Sequence, residues 1–487
     1  MKNKKHTAAF FNLPAGICFA LLCAVVFSTQ ANIITVVNTN DSGPGSLRQA
    51  LADANDGDTI NFDVSLKGRT IALTSDELVI DKSITITGPG SDQLAVSVDF
   101  QYHFRIFHVM ASPTVTIEGL TIGPSLYFYG CGIQNDQAIL TINNCAVAGN
   151  AGLDSGAGIS NGGTLTVNNS SITDNGLEYQ GTGAGISSSG TLIINNSIIR
   201  GNVSGKGYTD GGGIYSSGML EITNSTIDGN SVGGSGGGIY NLGVAIITSS
   251  TISGNFAGGG YPGPPRPGFG GGISSNGTGA TLTISNSTIS GNSVLTTDKG
   301  PGCGGGIGNN GSLQIANSTI SGNSATNGGA ICNDAAPLEI ANSILNAGDV
   351  GENIFNDGGT ITSLGYNLSS DNGGGYLSGP GDQTNTDPIL GPLQDNGGPT
   401  QTHRPYPQSP AIDAGDPSFT PPPFYDQRGT GFDRVVNGRI DIGSFEVQEG
   451  KPPPPSPTPT PAPSPTLTPT PRPTPTPRPR PTPRPRP

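Results

Sequence analysis

Residues 286–292 read NSTISGN, and residues 317–323 read the same seven again. Aligned on the pattern N-S-x-I-x-x-N, the chain gives one aliphatic column: Val147, Ile172, Ile199, Ile227, Ile252, Ile289, Ile320 and Leu345. An Asn follows three positions after most of them, from Asn150 through Asn175, Asn202, Asn230, Asn255 and Asn292 to Asn323. The spacing of 25 to 37 residues is that of a unit too small to bury an apolar face alone, so the units must stack as a solenoid.

A second column precedes each unit, G-x-G-I or G-G-x-I, with Ile133, Ile159, Ile186, Ile214, Ile239, Ile273, Ile307 and Ile331. Between the columns run short alternating stretches such as Thr164-Leu165-Thr166-Val167 and Thr281-Leu282-Thr283-Ile284. Period-two alternation in pieces this short specifies strands with one face inward. Three strands per turn, each pairing with its copy one turn on, predict an all-β, right-handed, single-stranded parallel β-helix. Ile289 and Ile320 are expected inside and Ser290 and Ser321 in water. Asn292 and Asn323 are expected at a left-handed bend, their side chains linked along the stack.

The flanks differ from the repeats. Residues 1–31 carry Lys2, Lys4 and Lys5 before an apolar run and end in small residues, the pattern of a secretory signal. Residues 32–110 read as an N-terminal cap and first irregular turns. There Ser46 opens a capping-box spacing, and Leu47, Ala50, Leu51 and Ala54 fall on one helical face. Residues 111–366 are the repeats, 367–449 an irregular C-terminal cap, and 450–487 a disordered Pro-, Thr- and Arg-rich tail. No stretch after the signal is long and apolar enough to span a membrane. The net charge is −13; the signal holds +3 and the tail +6, leaving −22 between them. So acidic a body excludes nucleic acid as a partner. The tail's arginines suit contact with anionic envelope polymers. Export permits disulfides: Cys131 with Cys145, or Cys303 with Cys332, can pair if neighbouring turns bring them together.

VVNTNDSGPGSLRQALADANDGDTINFD, near the N-terminus, resembles the opening segment of CSLREA-type secreted bacterial proteins. NGGPTQTHRPYPQSPAIDAGD, followed by DQRG and DIGSFE, resembles the choice-of-anchor Q domain. The repeats, clearest in ISGNSATNGGAI, are similar to those of chlamydial polymorphic outer membrane proteins, with Ile where those have Phe. The coil as a whole resembles pectin-lyase-like β-helix proteins. These resemblances imply an extracellular or surface-attached protein.

Enzymes on such a scaffold need paired carboxylates for glycoside hydrolysis, or a base with bound Ca²⁺ for lyase chemistry. Acids are sparse along the repeats, and Asp174, Arg200 and Asp228 are the candidates for catalysis; Arg200 and Asp228 also read as an outward ion pair on adjacent turns. Asp413, Asp416, Asp426 and Asp441 in the C-terminal cap read first as members of a salt-bridged cap, with Ca²⁺ ligation the alternative. His103 and His108 have no partners for nucleophilic catalysis in the sequence and read as structural. All long insertions, 177–181, 203–210, 256–269 and 294–303, leave one edge of the coil. Tyr179, Tyr208, Tyr261 and Phe269 decorate that edge, and Tyr215 is expected to stack on Tyr240. Aromatic platforms suit sugar rings. The expectation is non-catalytic adhesion or binding to extracellular polysaccharide or cell-surface glycan. The alternatives are a polysaccharide lyase or glycoside hydrolase, and a structural envelope spacer.

Overall fold

The computed structural model describes residues 31–99, 101–125, 131–153, 155–178, 181–205, 207, 209–259, 267–297 and 300–448. The signal-like segment and the Pro-rich tail lie outside them. Two compact units divide the described residues: those within 1–221, 229–244 and 259–265 form the first, and those within 222–228, 245–258 and 266–487 the second.

The first unit begins with strand Ile33–Val36, which pairs in parallel with Thr59–Phe62, one turn later. The pairing is handed on through Thr85–Thr87, Thr114–Glu118, Ile139–Asn143 and Thr164–Asn168 to Thr191–Asn195. The G-x-G-I strands build the neighbouring part of this first face, from Leu78–Ile80 to Ile239–Asn241. A second face carries the N-S-x-I strands, and a short third face carries two-residue strands such as Gly176–Leu177 and Val203–Ser204. This parallel, in-register coil is the β-helix that the repeat spacing specifies. Each turn places aliphatic side chains such as Ile159, Leu165, Val167 and Ile172 at 0 % exposure. Burying each contributes about 1.5–3 kcal/mol, and the β-branched Ile and Val side chains among them suit the pleat.

The helix Leu47–Asp53 packs on Ile33–Val36 and Leu78–Ile80. Its N-cap Ser46 accepts a hydrogen bond from the Gln49 amide, and Leu47, Ala50, Leu51 and Ala54 are buried. The N-cap and the apolar face are as the sequence spacing requires, but the box is not closed: Gln49 Nε2 donates to Asp53 and the Ser46 amide to Gly43 O.

The Asn column departs from expectation in one respect. The left-handed residue at that bend is the one before the Asn: Gly149, Asp174, Gly201, Gly229, Gly254, Gly291 and Gly322 all have φ between 55° and 68°. This bend turns the Asn inward. Nδ2 of Asn150 donates to Oδ1 of Asn175 (3.0 Å), Asn175 to Asn202 (2.9 Å) and Asn202 to Asn230 (2.9 Å). The same Nδ2 atoms also donate to strand carbonyls, as Asn202 does to Ile172. A fully paired buried amide column fixes the register between turns, because a slip would strand polar groups in an apolar interior. The left-handed Asn residues lie elsewhere, opening each N-S-x-I unit: Asn169, Asn196, Asn286 and Asn317 have φ near 50°. The Ser after each completes a further ladder, Ser197 accepting from the Ser170 amide and Ser318 from that of Ser287.

The second unit continues the pattern on its own second face, with Thr251–Ser253, Thr288–Ser290, Thr319–Asn323, Ile344–Ala347 and Leu368–Ser369 in parallel succession. Here the expected end cap divides in two. Residues 366–383 close the last turn, with Asp382 accepting from the Asn367 amide and the Gln383 amide donating to the Asn367 carbonyl. Residues from about 388 to 447 fold back along the outside of the second face. Ser290 and Ser321, expected in water, are therefore only 6 % and 4 % exposed. Their small hydroxyl side chains let a second layer of chain approach and give it hydrogen bonds once there.

Candidate functional site

Among the described residues, Cys303 and Cys332 form the disulfide, fastening an insertion to the first face. Cys131 and Cys145 are unpaired, buried thiols whose pKa values burial pushes up to about 12 and about 11. Thiols held so far from ionisation are inert packing groups.

The carboxylates proposed for Ca²⁺ are drawn into protein contacts. Asp426 binds the Arg428 guanidinium (2.5 Å) and the Glu446 amide (2.8 Å). Asp441 accepts from the amides of Asp413 and Val447, both at 2.7 Å, and Asp416 from Ser418. Among the described residues no three His, Cys, Asp or Glu side chains are arranged for a metal ion. Arg428 lies between the rings of Phe432 and Phe445, 3.9 and 3.6 Å from their centroids. Arg434 is fully buried; its Nη2 donates to Gly443 O and Asn317 Oδ1, and Nη1 lies 4.0 Å from Glu446. Burial raises the pKa values of Asp441 and Glu446, and a neighbouring carboxylate, Asp413 for Asp441 and Asp441 for Glu446, raises each further against the pull of Arg434. The cluster is a docking clamp for residues 388–447.

The same segment reaches the repeats through Gln427, whose Nε2 donates to Thr251 Oγ1 while its Oε1 accepts from Thr288 Oγ1. Ser444 bonds Thr319, and His403 Nε2 meets Ser290 Oγ at 2.8 Å. His403 also bonds Gly391 O through Nδ1, and burial lowers its pKa. The contacts with the repeats lack any local sequence signal, since their partners are more than 100 positions apart.

The catalytic candidates lie on or beside the second face. Asp174 occupies the left-handed bend there, and Arg200 continues the outward position of Thr173. Asp228 is in register with Ser253 and accepts from its hydroxyl at 2.9 Å. The described contacts of these residues are those of an outer strand row, with no paired carboxylates held across a cleft.

The first face of the first unit carries the more distinctive row. Its outward positions run, turn by turn and in exact register, His108, Gln134, Ser160, Ser187, Tyr215 and Tyr240. Tyr215 stacks on Tyr240 with ring centroids 5.6 Å apart and an interplanar angle of 8°. Tyr215 is half-buried, whereas Tyr240 is only 8 % exposed, so Tyr215 presents the accessible ring. Beside the row, Thr182 Oγ1 bonds Ser155 (3.0 Å) and meets Ser187 Oγ at 3.3 Å. Asp210 accepts from the Ser235 amide, and its charge, after burial, raises the Tyr215 pKa. At the other end His108 has a carboxylate at each nitrogen, Glu77 at 2.8 Å and Asp136 at 3.0 Å. The sequence reading missed this pairing because Glu77, His108 and Asp136 belong to successive turns. Four strand spacings of about 4.8 Å separate His108 from Tyr215, a row of about 19 Å.

Of the other proposed binding residues, Phe269 lies in the second unit against the Gly308 backbone, where a Cβ would come within 2.7 Å of its ring. Tyr179, Tyr208 and Tyr261 lie outside the described residues.

No protein-family model and no curated protein matches the chain. The CSLREA, choice-of-anchor Q and polymorphic outer membrane protein likenesses therefore stand on their quoted residues alone. Among solved structures the chain is similar to the crystal structure of pectate lyase Pel9A, with 14 % identity, a TM-score of 0.48, and coverage of 86 % of this chain and 97 % of that one. The β-helix assignment rests on the strand pairing above and not on this likeness.

Proposed function

We propose that the chain is a secreted or cell-surface β-helix protein that binds extended glycan chains on the outward row of its first face, without cleaving them. The observation that carries this reading is the register of that row: an accessible Tyr ring, two Ser hydroxyls and a Gln amide in line. A sugar polymer offers apolar ring faces and hydroxyls at regular intervals, and a row with one aromatic platform and repeated hydroxyl and amide groups complements both. Of the described residues, Ser155 and Thr182 add hydroxyls to its side.

The test is retention on immobilised polysaccharides, with the size of the recovered polymer measured in parallel. Retention at unchanged polymer length, reduced by Tyr215→Ala, is the expected result. Shortened polymer assigns the protein instead to hydrolase or lyase chemistry, and absence of retention on every polymer sinks the binding reading.

A further inference from the structure

We infer that the glycan taken by this row carries free amines, and that its amino groups dock at the His108 end of the row and in the cavity beside it. The inference rests on the glycan reading and adds the charge class of the ligand. The cavity, of about 370 Å³, lies between helix Leu47–Asp53 and the early turns, and its lining includes Arg48, Glu77, Val79, Asp81 and Lys82. Val79 is in register with His108, so the cavity continues the row by one turn.

Both signs of charge line the cavity, but the cations are committed to the protein's own carbonyls and carboxylates, Lys82 Nζ lying 3.9 Å from Asp81 and Arg105, at the His108 end, 3.6 Å from Glu77. Arg48 donates to the carbonyls of Asp76 (2.6 Å) and Glu77 (2.7 Å) and to the Asp41 carboxylate (2.8 Å). Lys82 Nζ donates to Ala52 O (3.2 Å) and Leu51 O (3.4 Å) at the end of the helix. The carboxylates keep accessible surface: the Asp81 side chain is 65 % exposed and that of Asp136 38 %. A protonated amine on a sugar ring matches this pattern, a uronate is repelled by it, and an uncharged sugar gains nothing from it. The excess of −22 in the body acts in the same sense at longer range.

The experiment is calorimetry of the full chain with three probes of equal length: a β-1,4-glucosamine hexamer, its fully N-acetylated form, and a hexauronate. At low ionic strength the amine form is expected to bind about ten-fold more tightly than the acetylated form, an advantage that salt erodes. Combining Asp81→Asn with Asp136→Asn is expected to abolish the difference between the amine and acetylated forms, with an unchanged circular dichroism spectrum and thermal midpoint certifying folding. Tyr215→Ala is expected to weaken both forms by the same factor. Equal affinity for the amine and acetylated forms, or tightest binding of the uronate, overturns the charge assignment and leaves glycan binding standing. Failure of all three probes to bind overturns both.

Discussion

The second face of the β-helix has two kinds of exterior. In the first unit its outward residues include Ala148, Thr173, Ile198 and Arg200, and Ile198 is 39 % exposed. In the second unit three successive turns carry small, hydroxylated residues at the equivalent positions, Thr251, Thr288 and Thr319 beside Ser253, Ser290 and Ser321, and all six are buried. Parallel strands of three residues carry them in both units, with Thr319–Asn323 running to five. A solenoid face exposed to water tolerates variety; one that must accept a second layer of chain needs side chains short enough to let it approach and polar enough to satisfy its backbone.

The comparison breaks most sharply at Arg434. Replacing it with Met leaves Glu446 and Asp441 buried without their cation, and should destabilise residues 388–447 by about 3–5 kcal/mol, read as accelerated amide exchange there. Arg200→Met on the open face of the first unit should change exchange by about 0.5 kcal/mol or less.

Next in size, Thr288→Val removes the hydroxyl that donates to Gln427 and should cost about 1–3 kcal/mol at the docked segment. Thr173→Val, a half-buried position of the first unit, should be close to neutral.

The third test uses pH. Burial holds the pKa of His403 below its ordinary value of 6.5, so the unfolded chain takes up the proton first. Its contribution is complete above pH 6.5 and is lost as pH falls through the lowered value. Residues 388–447 should therefore loosen on acidification in limited proteolysis, and His403→Gln should remove that component. Asp441 and Glu446 run the other way: their raised pKa values give stability at low pH that declines as pH rises. The informative quantity is thus the difference between parent and variant, in which those terms cancel.

The smallest effect concerns the thiols. Cys131 and Cys145 should resist alkylation in the native protein at neutral pH and react on unfolding, as followed by mass spectrometry. Rapid native labelling would mean that the first unit opens locally far more often than its packing implies.

Much of this architecture is written in local sequence. The Ile and Asn columns, the period-two strands and the N-capped helix each follow from residue spacing, because a β-helix pairs every strand with its own copy one turn on. The Tyr215–Tyr240 stack was legible for the same reason. The tertiary structure alone decided three things. It turned the Asn column inward, since the left-handed bend fell one residue earlier. It folded residues 388–447 over Ser290 and Ser321. It also gathered Glu77, His108 and Asp136 from successive turns. In each case the partner is chosen by where the backbone carries a side chain in space, and a repeat pattern encodes the spacing of turns but not what chain from elsewhere comes to lie against them.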